Sequence, residues 1–306
     1  LLWNTTGITV LGISPGIAIS GVYVDSNDTL YGADEITDYV IWKLLKDAVN
    51  ATIIAGTYNS SGSNSTQFYN AQDAYIDRNG NLYVSDCYNY RIQKFINGSS
   101  VGITIAGITG SQGSALNQLD TLQYLTFDST DTYMYVADYS NHRIMRYLTN
   151  SISGMNGTLV AGGTGAGNTN TLLNYPWGIH YLPSVSNDLF ITNYGGHSVM
   201  RWTPGASSGV FVAGTPGVSG SNSTLLNNPR GIKIDNYLNM YVVDTYNHRV
   251  QMFCAGSQTR ITIAGTGTLG NNATQLNRPR GIAFDSAMNM CIGDFDNRRV
   301  QKFLKL

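Results

Sequence analysis

Four histidines, one glutamate and a spaced set of aspartates and arginines are the residues in this chain best suited to chemistry. Metal binding or acid–base work would need several imidazoles converging on one point. His142, His197 and His248 instead occupy one recurring position, filled elsewhere by Tyr90 and Arg298, so they read as turn or sheet-edge residues. His180 stands apart, inside an apolar run. Glu35 is the single glutamate. Most of the aspartates fall into two series, at 25, 77, 128, 235 and 285 and at 34, 86, 138, 244 and 294. Carboxylates that recur so regularly are expected to accept hydrogen bonds from turn amides and from Arg91, Arg143, Arg249 and Arg299. No catalytic residue, metal site or cofactor is assigned.

The elements that position these residues form a repeat. Gly21-Val-Tyr-Val-Asp25, Asp73-Ala-Tyr-Ile-Asp77, Tyr124-Leu-Thr-Phe-Asp128, Gly178-Ile-His-Tyr-Leu182, Gly231-Ile-Lys-Ile-Asp235 and Gly281-Ile-Ala-Phe-Asp285 are six versions of one phrase. Each precedes a second apolar run ending at Asp34, Asp86, Asp138, Asn193, Asp244 or Asp294, positions separated by 52, 52, 55, 51 and 50 residues. A fixed period of this length marks units that bury their faces against one another. Each copy reads as four short strands joined by turns, which predicts an all-β, six-bladed β-propeller of four-stranded antiparallel blades. One domain spans 1–306. Residues 39–49 have a locally helical look, but their register with Arg91–Phe95 predicts a third strand. The last copy stops after its third strand, and Thr6–Gly12 resembles the fourth strand Gly102–Gly107. The N-terminal strand is therefore expected to complete the last blade and close the ring.

Asp244-Thr-Tyr-Asn-His-Arg-Val-Gln251 and Asp294-Phe-Asp-Asn-Arg-Arg-Val-Gln301, with Asp86 to Gln93 and Asp138 to Arg146, resemble the NHL repeat. That resemblance covers the whole chain and implies a six-bladed propeller, in a family whose members bind RNA or protein, mediate extracellular adhesion or act as lyases. Blades one and four depart from the motif: Tyr39 and Ser198 stand where arginine is expected, and Asn193 replaces aspartate. These blades are expected to be the least regular. Related lyases hold zinc through several axial histidines, whereas the corresponding positions here are Tyr23, Tyr75, Thr126, His180, Lys233 and Ala283. Propeller hydrolases resembling gluconolactonases hold calcium with several acidic side chains, and calcium needs six to eight oxygens. Neither ligand set is legible.

The residues just before each first strand are Ser20, Gln72, Gln123, Trp177, Arg230 and Arg280. They are expected to ring the channel mouth and, with His180 and Lys233, to form a ligand site for a flat or anionic group. Gly162-Gly-Thr-Gly-Ala-Gly167 and Gly265-Thr-Gly-Thr-Leu-Gly270 lack a following helix and read as connectors, not phosphate loops. Asn-x-Ser/Thr sequons occur at Asn4, Asn27, Asn50, Asn59, Asn64, Asn97, Asn156, Asn222 and Asn272, all expected N-glycosylation sites.

A net charge of -1, with only 12% charged residues, argues against nucleic acid as a partner. No apolar run reaches membrane-spanning length. The start at Leu1 reads as a mature or trimmed form. Cys87, Cys254 and Cys291 have no metal-ligand spacing, and a bridge between Cys254 and Cys291 stays open. The expectation is a secreted, extracellular, non-catalytic propeller that binds a protein partner or further copies of itself and carries N-linked glycans. A channel enzyme (a metal-dependent lyase or hydrolase) using His180, Lys233, Arg230 and Arg280, or a small-ligand sensor at the channel mouth, is the alternative.

Overall fold

Blade five shows how the repeat becomes structure. Its strands are Pro229–Ile234, Met240–Asp244, Arg249–Phe253 and Arg260–Ala264. Met240-Tyr-Val-Val-Asp244 is buried throughout, as expected of a strand covered on both faces, whereas Arg260-Ile-Thr-Ile-Ala264 exposes Ile261 and Thr262 at the rim. The computed structural model describes residues 2–12, 17–255 and 260–306. It forms six such sheets, each with four strands in antiparallel order. The sixth contains Ile282–Phe284, Met290–Asp294 and Arg299–Phe303 and is completed by Ile8–Leu11. Ile8 faces Lys302 and Leu11 faces Val300. Just upstream, Trp3 is buried 5.7 Å from the Tyr241 ring, and its indole donates to the Met288 carbonyl at 2.8 Å. The ring is therefore closed by chain pairing, as the sequence predicts.

The core lies between blades. One cluster joins Tyr241, Val243 and Val250 of blade five to Ile282, Met290 and Phe303 of blade six. Another joins Ala283, Cys291 and Val300 of blade six to Ile19, Val22 and Trp42 of blade one. All three cysteines are free, so Cys254 and Cys291 do not pair.

Each regular blade is tied to the loop that feeds it by one buried carboxylate. Asp138 accepts the Asp120 amide at 2.7 Å, the Asn141 amide group at 2.9 Å and Arg143 Nε at 2.7 Å. Arg143 then donates to the carbonyls of Ser114, Ala115 and Gln118, and Asn141 to that of Gly113. Asp86, Asp244 and Asp294 take the same three kinds of donor. In blades two, three and six the recurring aspartate and motif arginine thus satisfy each other and the loop backbone, whereas in blade five Arg249 bonds Asp244 alone among the described residues.

Blades one and four lack this clasp, and they alone among the described blades lack the 3-10 turn seen at Cys87–Asn89, Tyr139–Asn141, Thr245–Asn247 and Phe295–Asn297. Ser198 does take the arginine's place, opposite Gly214 as Arg91 is opposite Gly107. In blade one the expectation needs correcting. Val40, not Tyr39, pairs with Gly56 and fills the arginine position. Tyr39 has φ 56° and matches Tyr90, also at φ 56°, because the preceding turn holds one extra residue. Asp34 therefore has no arginine; one of its oxygens is buried without a partner, and burial pushes its pKa up to about 6.

The repeated histidines have a structural task. Nδ1 of His142, His197 and His248 accepts the backbone N–H of Tyr175, Asn228 and Arg278 at 3.1, 3.2 and 3.2 Å. Each of those three residues precedes a proline and has positive φ, a strained position that the imidazole helps to hold.

Two predictions follow from these contacts. Arg143→Ala leaves the Asp138 carboxylate buried and unpaired, at a cost of about 3–5 kcal/mol in denaturant unfolding. The double change Asp138→Asn with Arg143→Ser copies blade four and recovers part of that loss. The second concerns pH. Burial lowers the pKa of His142, His197 and His248 in the folded protein. A depressed folded pKa means the unfolded chain takes up protons first, so this stability is full above about 6.5 and falls on acidification. Replacing all three with asparagine, which tolerates positive φ, makes the acid limb of the stability–pH curve shallower.

Candidate functional site

The propeller axis carries two chemically different compartments. At the upper face, where the first strands begin, Ser20, Gln72, Gln123, Trp177 and Arg230 are all buried. Ser20 Oγ donates to Gln72 at 2.8 Å, and Gln72 donates to Asn70, which in turn donates to Glu35 at 3.2 Å. Glu35 also forms an ion pair with Arg280, whose guanidinium lies 3.2 Å from the Phe295 ring centroid. Arg230 stacks on Trp177 at 4.0 Å and beside Tyr194 at 5.3 Å. Below this ring, the Tyr124 hydroxyl from blade three reaches across to the Ser20 carbonyl of blade one at 2.7 Å. Ser20 and Gln72, and Trp177, Arg230 and Arg280, thus meet at the mouth, while Gln123 Oε1, Trp177 Nε1 and Arg230 Nε and Nη1 are buried there without partners.

His180 and Lys233 are not part of that ring, a second correction. They lie three residues further along their strands, roughly 10 Å at the usual strand rise. They face a separate chamber of about 340 Å³ that opens on the lower face. Asp73 and Thr126 also line it. Burial pushes Asp73 up to about 7 and lowers Lys233, while burial and the neighbouring Lys233 charge take His180 down to about 3. His180 is therefore a neutral imidazole, and its Nε2 is buried with no hydrogen-bond partner. No ion pair joins Lys233 to any carboxylate among the described residues.

Outside the chamber, a cleft of about 740 Å³ crosses the lower face of blades one to three. Tyr23, Tyr31 and Tyr75 form its aromatic wall, with Tyr23 and Tyr75 centroids 5.1 Å apart. Asp25, Asp77, Asp128 and Asp131 stand around them, with Lys43 and Arg78 as the cations. Tyr75 donates to Asp131 at 2.9 Å and Tyr31 to Asp25 at 3.1 Å. Burial and then the nearby carboxylates raise the phenol pKa values of Tyr23 and Tyr31 well above the ordinary range. The cleft thus has a negative local field.

The sequons divide by face. Asn64, Asn222 and Asn272, each thirteen residues before Asp77, Asp235 or Asp285, lie on upper-face loops and are exposed. In each, Oδ1 accepts both the backbone N–H and the hydroxyl of the sequon threonine, Thr66, Thr224 or Thr274. Asn27 and Asn97 line the lower cleft, and Asn97 Nδ2 donates to the Asn79 carbonyl at 3.3 Å.

Sequence reasoning missed Asp73 and Tyr124 as site residues, although a signal existed. Both interrupt a glycine series, Gly21, Gly178, Gly231 and Gly281, at the point where first strands approach most closely. A Cβ at Gly178 would collide with the Arg230 carbonyl of the next blade. Side chains at this position in blades two and three are therefore exceptions that fill the axis. Glu35 was seen only as a lone glutamate; it replaces the aromatic of Tyr139, Tyr194 and Phe295 after the strand-ending acid.

A model of the NHL repeat matches residues 68–95, from the end of one inter-blade loop through the third strand of blade two. No curated protein sequence matches the chain. Among solved structures, an auxiliary nutrient binding protein from Bacteroides thetaiotaomicron superposes with a TM-score of 0.69 at 15% identity, covering 98% of this chain and 72% of that one. A gluconolactonase from Xanthomonas campestris gives 0.68 at 12% identity, covering 97% and 88%. The virginiamycin B lyase from Staphylococcus aureus gives 0.62 at 13% identity, covering 98% of each. Likeness at such identities is one of fold, and these folds serve both enzymes and binding proteins. The repeat match over residues 68–95 and the six four-stranded blades together support reading the chain as an NHL-repeat β-propeller.

Proposed function

We propose that this propeller is a non-catalytic binding module whose recognition surface is the lower-face cleft of blades one to three. Its partner is a protein, or a second copy of the chain, that presents a lysine or arginine side chain. The observation behind this reading is a concave wall of Tyr23, Tyr31 and Tyr75 set among Asp25, Asp77, Asp128 and Asp131. Aromatic faces attract a cation, and flanking carboxylates add attraction that steers the encounter. The upper mouth suits this role less well, because its own side chains occupy it. We further propose that the protein is secreted and glycosylated on its upper-face loops, leaving the cleft free for contact.

An alternating lysine–glycine octapeptide is expected to bind, more weakly as salt rises, while a glutamate–glycine octapeptide does not. Asp131→Asn keeps the Tyr75 hydrogen bond but removes the charge and frees Arg78 from its 3.0 Å ion pair, and weakens the lysine peptide about fivefold, on the order of 1 kcal/mol. Calorimetry reads both, and equal binding of the two peptides would sink the proposal. Light scattering then separates a self-associating protein from a monomer that awaits a different partner.

Glycopeptide mapping of protein from a secreting eukaryotic host tests the facial division. Asn64, Asn222 and Asn272 are expected to carry glycan, with Asn27 and Asn97 bare. Full occupancy at Asn27 or Asn97 would place sugar across the cleft and contradict its use as a contact surface.

A further inference from the structure

The axial chamber has features that protein binding in the outer cleft does not use. Lys233, half-buried, and Asp73, buried, both face it and are not joined as an ion pair. His180 lines the same space, and its Nε2 is buried beside it without a hydrogen-bond partner. An ammonium and a carboxyl withdrawn from water without mutual contact favour a ligand that answers both, and the raised pKa of Asp73 shows the cost of leaving it unanswered. Around them Val22, Ile179, Ile232 and Ile282 supply apolar wall. A chamber of about 340 Å³ with a few polar groups and apolar sides has the makeup of a small-molecule site.

We infer that the chamber binds a free amino acid with an apolar side chain. The ligand carboxylate meets the Lys233 ammonium, beside the neutral imidazole of His180. The ligand ammonium meets Asp73, and the side chain lies against the isoleucines. A bare anion would answer Lys233 but leave Asp73 unmatched, and a bare cation would do the reverse. A zwitterion answers both, so charge complementarity selects this class. Access is from the lower face, because Tyr124 closes the bore above.

Saturation-transfer NMR with L-leucine, N-acetyl-L-leucine and L-leucinamide tests the assignment. Leucine is expected to bind, and each analogue, lacking one charge, about tenfold more weakly or worse. Lys233→Met keeps the volume, removes an unpaired charge and should abolish leucine binding, with the unfolding midpoint unchanged or raised and lysine-peptide affinity unchanged. Asp73→Asn should weaken leucine while sparing N-acetyl-leucine, and it serves independently if the first variant folds poorly. No saturation transfer to leucine at millimolar concentration, leucine binding unchanged in Lys233→Met, or equal binding of N-acetyl-leucine would each overturn the inference. The lysine-peptide measurement is separate, so either site can fail without the other.

Discussion

The architecture depends on a carboxylate that no water reaches. At the end of the second strand in four of six blades, Asp86, Asp138, Asp244 and Asp294 are fully buried and answered by a loop amide, an asparagine and an arginine. A charge in such a place is tolerable only when its hydrogen-bonding capacity is filled. Filling it fixes the third strand and the incoming loop at once, because the same arginine also binds loop carbonyls in blades two, three and six. Local turn chemistry and ring assembly are therefore one event in these blades. Blades one and four manage without it: Asn193 avoids the charge, and Asp34 keeps it with its pKa raised instead.

Much of this was legible because repetition converts single residues into positions. Six blades, four strands each, closure by residues 8–11 and the duties of the motif aspartates and arginines all came from counting spacings. The misreading of Tyr39 has the same origin. Counting five residues from Asp34 ignores one inserted residue in the turn, which only the positive φ of Tyr39 and the pairing of Val40 with Gly56 reveal.

The site was less legible because function here lies in departures from the repeat. Ring membership of Gln72, Gln123, Trp177, Arg230 and Arg280 followed from register, but the ring being filled depends on side-chain contacts across the axis. Arg280 is taken by Glu35, which is far from it in sequence and adjacent only after closure. The separation of His180 and Lys233 from the mouth needed Tyr124, whose partner Ser20 lies two blades away. A repeat tells which residues are equivalent. It does not tell which unlike residues meet at the centre.

That tyrosine makes the propeller a cup and not a pipe. A solute crossing the molecule would have to break the Tyr124–Ser20 hydrogen bond, so what enters from beneath leaves most readily by the same opening. A protein seated across that opening would trap what lies inside, and the occupancy of the cup would set how readily the lid comes off.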